Sequence, residues 1–320
     1  MKHLVRVVVL VALYIGISAF GAFAAEPVRI LASTFPVYQI VRNIVQGSGV
    51  QVELLLPAQM GCPHDYALSP QDMRKLVQAD IFIVNGLGLE EFLGSQMERI
   101  GKDVRIIDGS RGIAEVLNFS EKEGEEARDH DHEHEGDHAH SHDHEHDGAN
   151  PHIFASPRMA AKMAQNIAAQ LSLADPEHAT LYKEQAKAYA DRLLRLADAM
   201  ASRAQTLHNR HIITQHGVFD YLARDLDLEI VGTVQEHPGQ EPSAARMLHL
   251  VRLAKSTQAG ALFAEPQYPQ RTGEAISREA GIPFAVLDPV ATGPENAPLD
   301  YFEHRMLANM ATLEQALGRK

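Results

Sequence analysis

The sequence predicts an α/β protein of two lobes, each built on a mainly parallel sheet and joined by one long rigid helix. Three observations predict it. Strand-like and helix-like segments alternate from Val28 to Ile107. The same alternation resumes from His211 to the C-terminal end. Between them runs a helical stripe long enough to cross from one half to the other. A βαβα rhythm implies parallel strands with helices on both faces.

In the first half, Val28 to Ser33 reads as a strand, Val37 to Val45 as a helix and Val52 to Leu56 as a strand. Ser69-Pro70 opens a helix, with Ser69 as N-cap and Pro70 in the first turn. Ile81 to Val84 is a buried strand, Glu90 to Ile100 a helix and Val104 to Ile107 a strand. Ser156-Pro157 then opens a helix through Leu171, and Asp175-Pro176 opens the long one. Its apolar positions Tyr182, Ala186, Tyr189, Leu193, Leu196 and Met200 fall on one face. From Pro176 to Leu207 such a helix spans about 48 Å at 1.5 Å per residue. The same stripe also suits a coiled-coil seam. In the second half His211 to Thr214, Leu228 to Val234, Ala261 to Ala264 and Phe284 to Leu287 read as strands. Val218 to Arg224, Ser243 to Lys255, Arg271 to Ala280 and Leu299 to Leu317 read as helices.

Composition bounds the function. A hydrophobic fraction of 45% supports real cores, and a net charge of −13 argues against nucleic acid. No Trp is present to stack sugars or bases. Lys2, His3 and Arg6, then the apolar Val7 to Phe20, then Ala22-Phe23-Ala24 read as a cleavable secretory signal. The apolar run is shorter than the roughly 20 residues a spanning helix needs. The expected division is a signal peptide at 1–24, an N-terminal lobe at 25–174, a linking helix at 175–208 and a C-terminal lobe at 209–320. One cysteine, Cys62, leaves no internal disulfide.

From Asp129 to Asp147 the chain reads DHDHEHEGDHAHSHDHEHD. It offers no apolar surface to offset the entropy of ordering it, so disorder is expected over 120–148. Imidazole is the preferred side-chain ligand for zinc, copper and nickel, so the run points to transition-metal handling.

Four residues elsewhere share a placement that suits a metal. His64 follows the strand Val52 to Leu56 through a loop. His152 lies in Asn150-Pro151-His152, before a helix. His216 and Asp288 each stand just after a strand. In open parallel sheets, ligands bind outside the carboxyl ends of strands. Two candidates come from each lobe, so a cleft can bring them together. Three imidazoles and one carboxylate form a set that suits Zn²⁺. Each residue also has an ordinary explanation: His64 and His152 as turn residues after prolines, His216 as a helix cap, Asp288 as the turn residue before Pro289. Glu265 reads as a loop hydrogen-bonding residue, or as one that orients a ligand histidine. Glu241 is expected to order a helix entrance. His178, His208, His211, His237, His249 and His304 read as surface or packing residues.

The ordered motifs resemble one family. They are Gly61-Cys62-Pro63-His64-Asp65-Tyr66 with Ser69-Pro70, Asn150-Pro151-His152 with Ser156-Pro157, and Gln215-His216-Gly217-Val218-Phe219-Asp220-Tyr221. Glu241-Pro242-Ser243, Phe263-Ala264-Glu265-Pro266-Gln267 and Leu287-Asp288-Pro289 complete the set. Together they look like the metal-binding solute receptors of bacterial ABC importers (cluster A-I), and within them the ZnuA-like zinc receptors. The resemblance spans essentially the whole mature chain. It implies the periplasmic metal-binding fold, with one metal between two lobes bridged by a rigid helix. His64, His152 and His216 match the family's histidine ligands, and Asp288 matches the carboxylate position of many members. Water or a carboxylate from the His-rich loop is the alternative fourth ligand. Many relatives carry Asp where this chain has Asn150, and an acidic or small residue where it has Cys62. Manganese receptors of the family tend to carry Glu at the position of His216, so imidazole there favours zinc.

The implied function is capture of Zn²⁺ in the periplasm and delivery to the membrane subunits of an ABC permease. The expected partners are that permease, the zinc ion and a periplasmic zinc chaperone, with no nucleic acid, and a monomeric receptor is expected. The alternatives are a Mn²⁺/Fe²⁺ receptor of the same family and a surface metal buffer or adhesin. No enzymatic step is expected, because no H-E-x-x-H or similar ligand-plus-base motif is present.

Overall fold

A computed structural model describes residues 28–61, 63, 66–100, 104–119, 148–235 and 240–318. The signal-peptide reading, Cys62, His64, His237 and the His/acid run lie outside the described residues. No helix among the described residues is long and apolar enough to cross a membrane.

The first lobe holds β1 (Arg29–Ala32), α1 (Phe35–Ile44), β2 (Gln51–Leu54), α2 (Pro70–Gln78), β3 (Ile81–Val84), α3 (Gln96–Ile100) and β4 (Arg105–Asp108). Its sheet is parallel throughout, in the order β2-β1-β3-β4. Strand residues alternate between faces. Ile81 and Ile83 enter the main core, whereas Phe82 and Val84 pack with Leu55, Leu56 and Leu76 on the other side. Every residue of β3 is apolar because both faces of this sheet are covered. Ser69 caps α2 as its sequence suggests: its side chain accepts from the Asp72 amide, and the Asp72 carboxylate accepts from the Ser69 amide.

The second lobe repeats the pattern. It holds β5 (His211–Thr214), α6 (Asp220–Leu226), β6 (Glu229–Thr233), α7 (Ala244–Ser256), β7 (Ala261–Ala264), α8 (Arg271–Ala280), β8 (Phe284–Val286) and α9 (Tyr301–Leu317). Its sheet is also all parallel, in the order β6-β5-β7-β8. Between the lobes stand α4 (Pro157–Ala174) and α5 (Ala179–Ala204). The six stripe residues of α5 are buried in the core that serves both lobes. The stripe is therefore spent within the chain, not on a coiled-coil seam. Arg192 and Arg203 of α5 pair with Glu303 and Glu314 of α9.

Several boundaries differ from the sequence expectation. The long helix ends at Ala204, and its first turn, Pro176–His178, is a 3₁₀ turn. Asp175 tightens that turn by accepting from Tyr182 Oη at 2.6 Å and lying 2.8 Å from His178 Nδ1. The expected helix over Glu90 to Ile100 is split into a 3₁₀ turn, Glu91–Leu93, and the short α3, because Gly94 sits at φ +48°.

One further segment matters for the cleft. After β8 the chain returns as a strap against the first lobe. The Gly293 amide donates to the Ala58 carbonyl at 3.0 Å, and Gln59 Nε2 donates to the Gly293 carbonyl at 2.7 Å. Arg42 and Asn43 of α1 hold the Ala297 and Leu299 carbonyls. A Cβ at Gly293 would lie 2.2 Å from the Phe35 ring, so only glycine permits this approach.

Candidate metal centre

The strand order of each sheet reverses between two central strands, and a crevice opens outside their carboxyl ends at such a point. In the second lobe these strands are β5 and β7. His216 stands two residues past β5, and Glu265 directly follows β7. In the first lobe they are β1 and β3. Asn85 follows β3, and its side-chain amide donates to the Pro151 carbonyl at 2.8 Å. That bond fixes the peptide that enters His152.

His152 opens a 3₁₀ turn, His152–Ala155, which leads into α4 through the N-cap Ser156. His152 and His216 are both buried. Their rings meet across the lobes, with centroids 5.1 Å apart and planes at 79°. His216 stands in the N-cap position of the turn Gly217–Phe219, yet its side chain makes no cap bond. It turns instead to Glu265, with Nδ1 2.6 Å from Oε1. Glu265 is wholly buried, and its other oxygen accepts from Gln267 Nε2 at 2.6 Å. On His152, Nδ1 lies 2.8 Å from the side-chain oxygen of Asn150. Each imidazole thus has its Nδ1 set against an oxygen acceptor, the arrangement usual for a histidine that ligates a metal through Nε2. Phe119 and Phe154 pack edge-on to His152, and Tyr268 packs edge-on to His216.

Asp288 sits at the end of the β8 extension. Its Oδ1 accepts from the Val290 amide, and its own backbone is clamped by Asn309. Burial pushes its carboxyl above the usual range, and the neighbouring Glu265 charge adds to the effect, while Arg305 opposes it. A divalent cation beside this pair would relieve that repulsion.

Of the four residues expected from sequence, the structure brings His152 and His216 together and puts Asp288 within the electrostatic reach of Glu265. His64 lies outside the described residues, but its flanks are placed. Gly61, at φ +76°, packs its backbone on Gln267; a Cβ there would lie 3.1 Å from Gln267 Cγ. Gly61 and Pro63 also line one pocket with Phe154. Gly61 and Pro63 therefore border the same cleft. Among the described residues, no three His, Cys, Asp or Glu side chains group as metal ligands.

The sequence offers Glu265 either an ordinary loop bond or a ligand histidine to orient. The loop bond exists, to Gln267, and the other oxygen faces His216. The signal was a carboxylate placed directly after an apolar buried strand. Tyr221 closes the motif that begins at Gln215, but the sequence assigns its hydroxyl no role. Its hydroxyl donates to the Asn150 carbonyl at 2.6 Å and accepts from the Leu117 amide at 3.0 Å. Glu241 accepts from Thr272 Oγ1, so it orders the entrance of α8 rather than that of its own helix, α7.

The chain matches the family model described as zinc-uptake complex component A, periplasmic, over residues 30–316. It is 30% identical over 264 residues to the high-affinity zinc uptake system protein ZnuA of Bacillus subtilis (strain 168), covering 82% of this chain and 78% of that protein. It is also 30% identical to the zinc-binding lipoprotein AdcA of Streptococcus pneumoniae, over 82% of this chain but only 50% of that longer protein. Among solved structures, a crystal structure of ZnuA superposes with a TM-score of 0.72 at 26% identity, covering 92% of this chain and 100% of that one. FpvC of Pseudomonas aeruginosa in complex with Ni²⁺ superposes with a TM-score of 0.74 at 25% identity, covering 92% and 99%. The two parallel sheets and the long helix across them agree with these matches, and the chain belongs to the zinc-uptake complex component A family.

Proposed function

We propose that this chain is an extracytoplasmic zinc receptor, which captures Zn²⁺ between its lobes and hands it to the membrane subunits of an ABC permease. The observation that carries the reading is the buried His152–His216 pair, contributed by opposite lobes and backed by Asn150 and Glu265. The ligands in this reading are His64, His152 and His216, with Asp288 or water completing a near-tetrahedral shell. Imidazole donors favour zinc over the harder Mn²⁺. The receptor binds without turnover, acts as a monomer in the periplasm after removal of residues 1–24, and can receive its ion from a periplasmic zinc chaperone. The His/acid run collects further zinc more weakly, since a chain segment must be ordered for each ion it holds.

Competition titration of the mature protein against a chelating dye tests this, with Zn²⁺, Mn²⁺ and Ni²⁺ as separate arms. One tight zinc site is expected, with affinity reduced by orders of magnitude in His216→Ala. Unchanged zinc affinity in that variant shows the site is misassigned. Tighter Mn²⁺ than Zn²⁺ binding would overturn the metal.

A further inference from the structure

We infer that Asn150 presets the tautomer of His152 and ties that ring to the Gly217 carbonyl, beside His216 on the opposite lobe, so the two imidazoles are held as one unit. The inference rests on the zinc-ligand reading of His152 and adds a positioning residue to it.

The argument begins with the orientation of the Asn150 amide. Its oxygen lies 3.0 Å from the His152 backbone nitrogen, and a peptide N–H can only donate. Its nitrogen lies 2.7 Å from the Gly217 carbonyl, which can only accept, and 2.8 Å from a carboxylate oxygen of Asp220. Both ends are fixed by partners whose roles do not change, so oxygen and nitrogen cannot be exchanged. The oxygen that accepts from the His152 backbone also lies 2.8 Å from His152 Nδ1. Against an acceptor, Nδ1 must carry the proton. The neutral ring then keeps Nε2 unprotonated, as a metal ligand requires.

The same amide spans the cleft. Its oxygen holds the turn that opens α4, and its nitrogen holds the residue that follows His216. Tyr221 completes the clamp by donating to the Asn150 carbonyl. Asn150 is wholly buried, so water does not compete for these bonds. An aspartate here could keep the contact to His152. It would, however, present a carboxylate oxygen to the Gly217 carbonyl and the Asp220 carboxylate, where no proton is available. The amide therefore does what the carboxylate cannot: it accepts on one lobe and donates to the other.

Long-range ¹H–¹⁵N NMR on the metal-free mature protein reads the tautomer directly, with His152 assigned by its absence in His152→Gln. Protonated Nδ1 and unprotonated Nε2 are expected. In Asn150→Ala the preference should be lost and zinc affinity should fall about 10- to 100-fold. Asn150→Asp should also weaken zinc binding, and adding Asp220→Asn should recover part of the loss by restoring a donor opposite the new carboxylate. An Nε2-protonated His152 in the wild type overturns the inference, whether or not any variant folds. So does an unchanged tautomer in Asn150→Ala. A tautomer that depends on Asn150, with zinc affinity unaltered in both Asn150→Ala and His152→Gln, supports the positioning role and overturns the zinc assignment instead.

Discussion

Glu90 is a buried carboxyl that no metal reading uses. It accepts from Ser33 Oγ at 2.7 Å and from the Asn85 and Gly86 amides at 2.7 and 3.0 Å. It thereby shapes the turn whose Asn85 holds the peptide before His152. Burial, with Asp108 adding to it, pushes its pKa up to about 7 against these three hydrogen bonds. A carboxyl with a raised folded-state pKa holds its proton more tightly when folded. Its contribution to stability is fully present below its unfolded value, near 4.5, and is lost as pH rises through about 7. At about 1.4 kcal/mol per pH unit, the change across that window is on the order of a few kcal/mol. Urea unfolding at intervals from pH 4.5 to 8 should show this decline, and Glu90→Gln should flatten it. A decline of equal size in the variant would assign it to other groups. At this scale the sequence displayed His152 and His216 through their motifs and strand-end positions. It did not display the partners of those rings. Glu265 lies 49 residues from His216, and only the parallel alignment of β5 beside β7 brings them within 2.6 Å.

Among the elements, α5 has the largest part in holding the lobes. Its 26 residues reach about 39 Å at 1.5 Å per residue. Leu193 lies near its middle and is fully buried in the shared core. Leu193→Ala should cost about 2–5 kcal/mol, the range for a leucine cut back in a packed interior, and lower the thermal midpoint accordingly. Lys187→Ala, on the exposed face, breaks only a solvated pair with Asp191 and should leave the midpoint unchanged. A Leu193→Ala midpoint equal to that of Lys187→Ala would show that the stripe is not a core. The stripe and the caps at Ser69 and Ser156 were legible because their signals are local: periodicity, a hydroxyl before the first turn, a proline in it. The break at Gly94 was not, because an isolated glycine is tolerated in many helices. Here it adopts a positive φ that ends the turn.

For the molecule as a whole, two sheets of the same strand order face one cleft, and Phe119 stands beside it, against His152. Phe119 and Gly148 bracket residues 120–147. Their backbones are joined by an antiparallel bridge between Asn118 and Ala149, and the Asn150 amide donates to the Leu117 carbonyl at 2.7 Å. Because the two ends already meet, replacing residues 120–147 by a short Gly-Ser turn should leave the metal-free thermal midpoint unchanged. Total bound zinc should fall and the tightest site should remain, as read by metal analysis and dye competition. Loss of the tight site would mean that the run supplies an essential ligand in place of Asp288. Alternation of strand and helix made the α/β class and the parallel strands legible. The strand order was not written in the alternation, since it follows from how the crossovers pack.

The strap from β8 to α9 gives the cleft a second seam. On one flank Asn150 joins the lobes to Gly217, and on another Gly293 joins them to Ala58 and Gln59, with α5 running behind both. For lobes stitched in this way, release of an ion from the cleft requires these hydrogen bonds to part. Residence time is then set by how often a few hydrogen bonds break together, a kinetic quantity separate from the depth of the binding well. A docked permease that strains either seam would shorten that time without touching a metal ligand, so release can be triggered from the rim while capture keeps its full affinity.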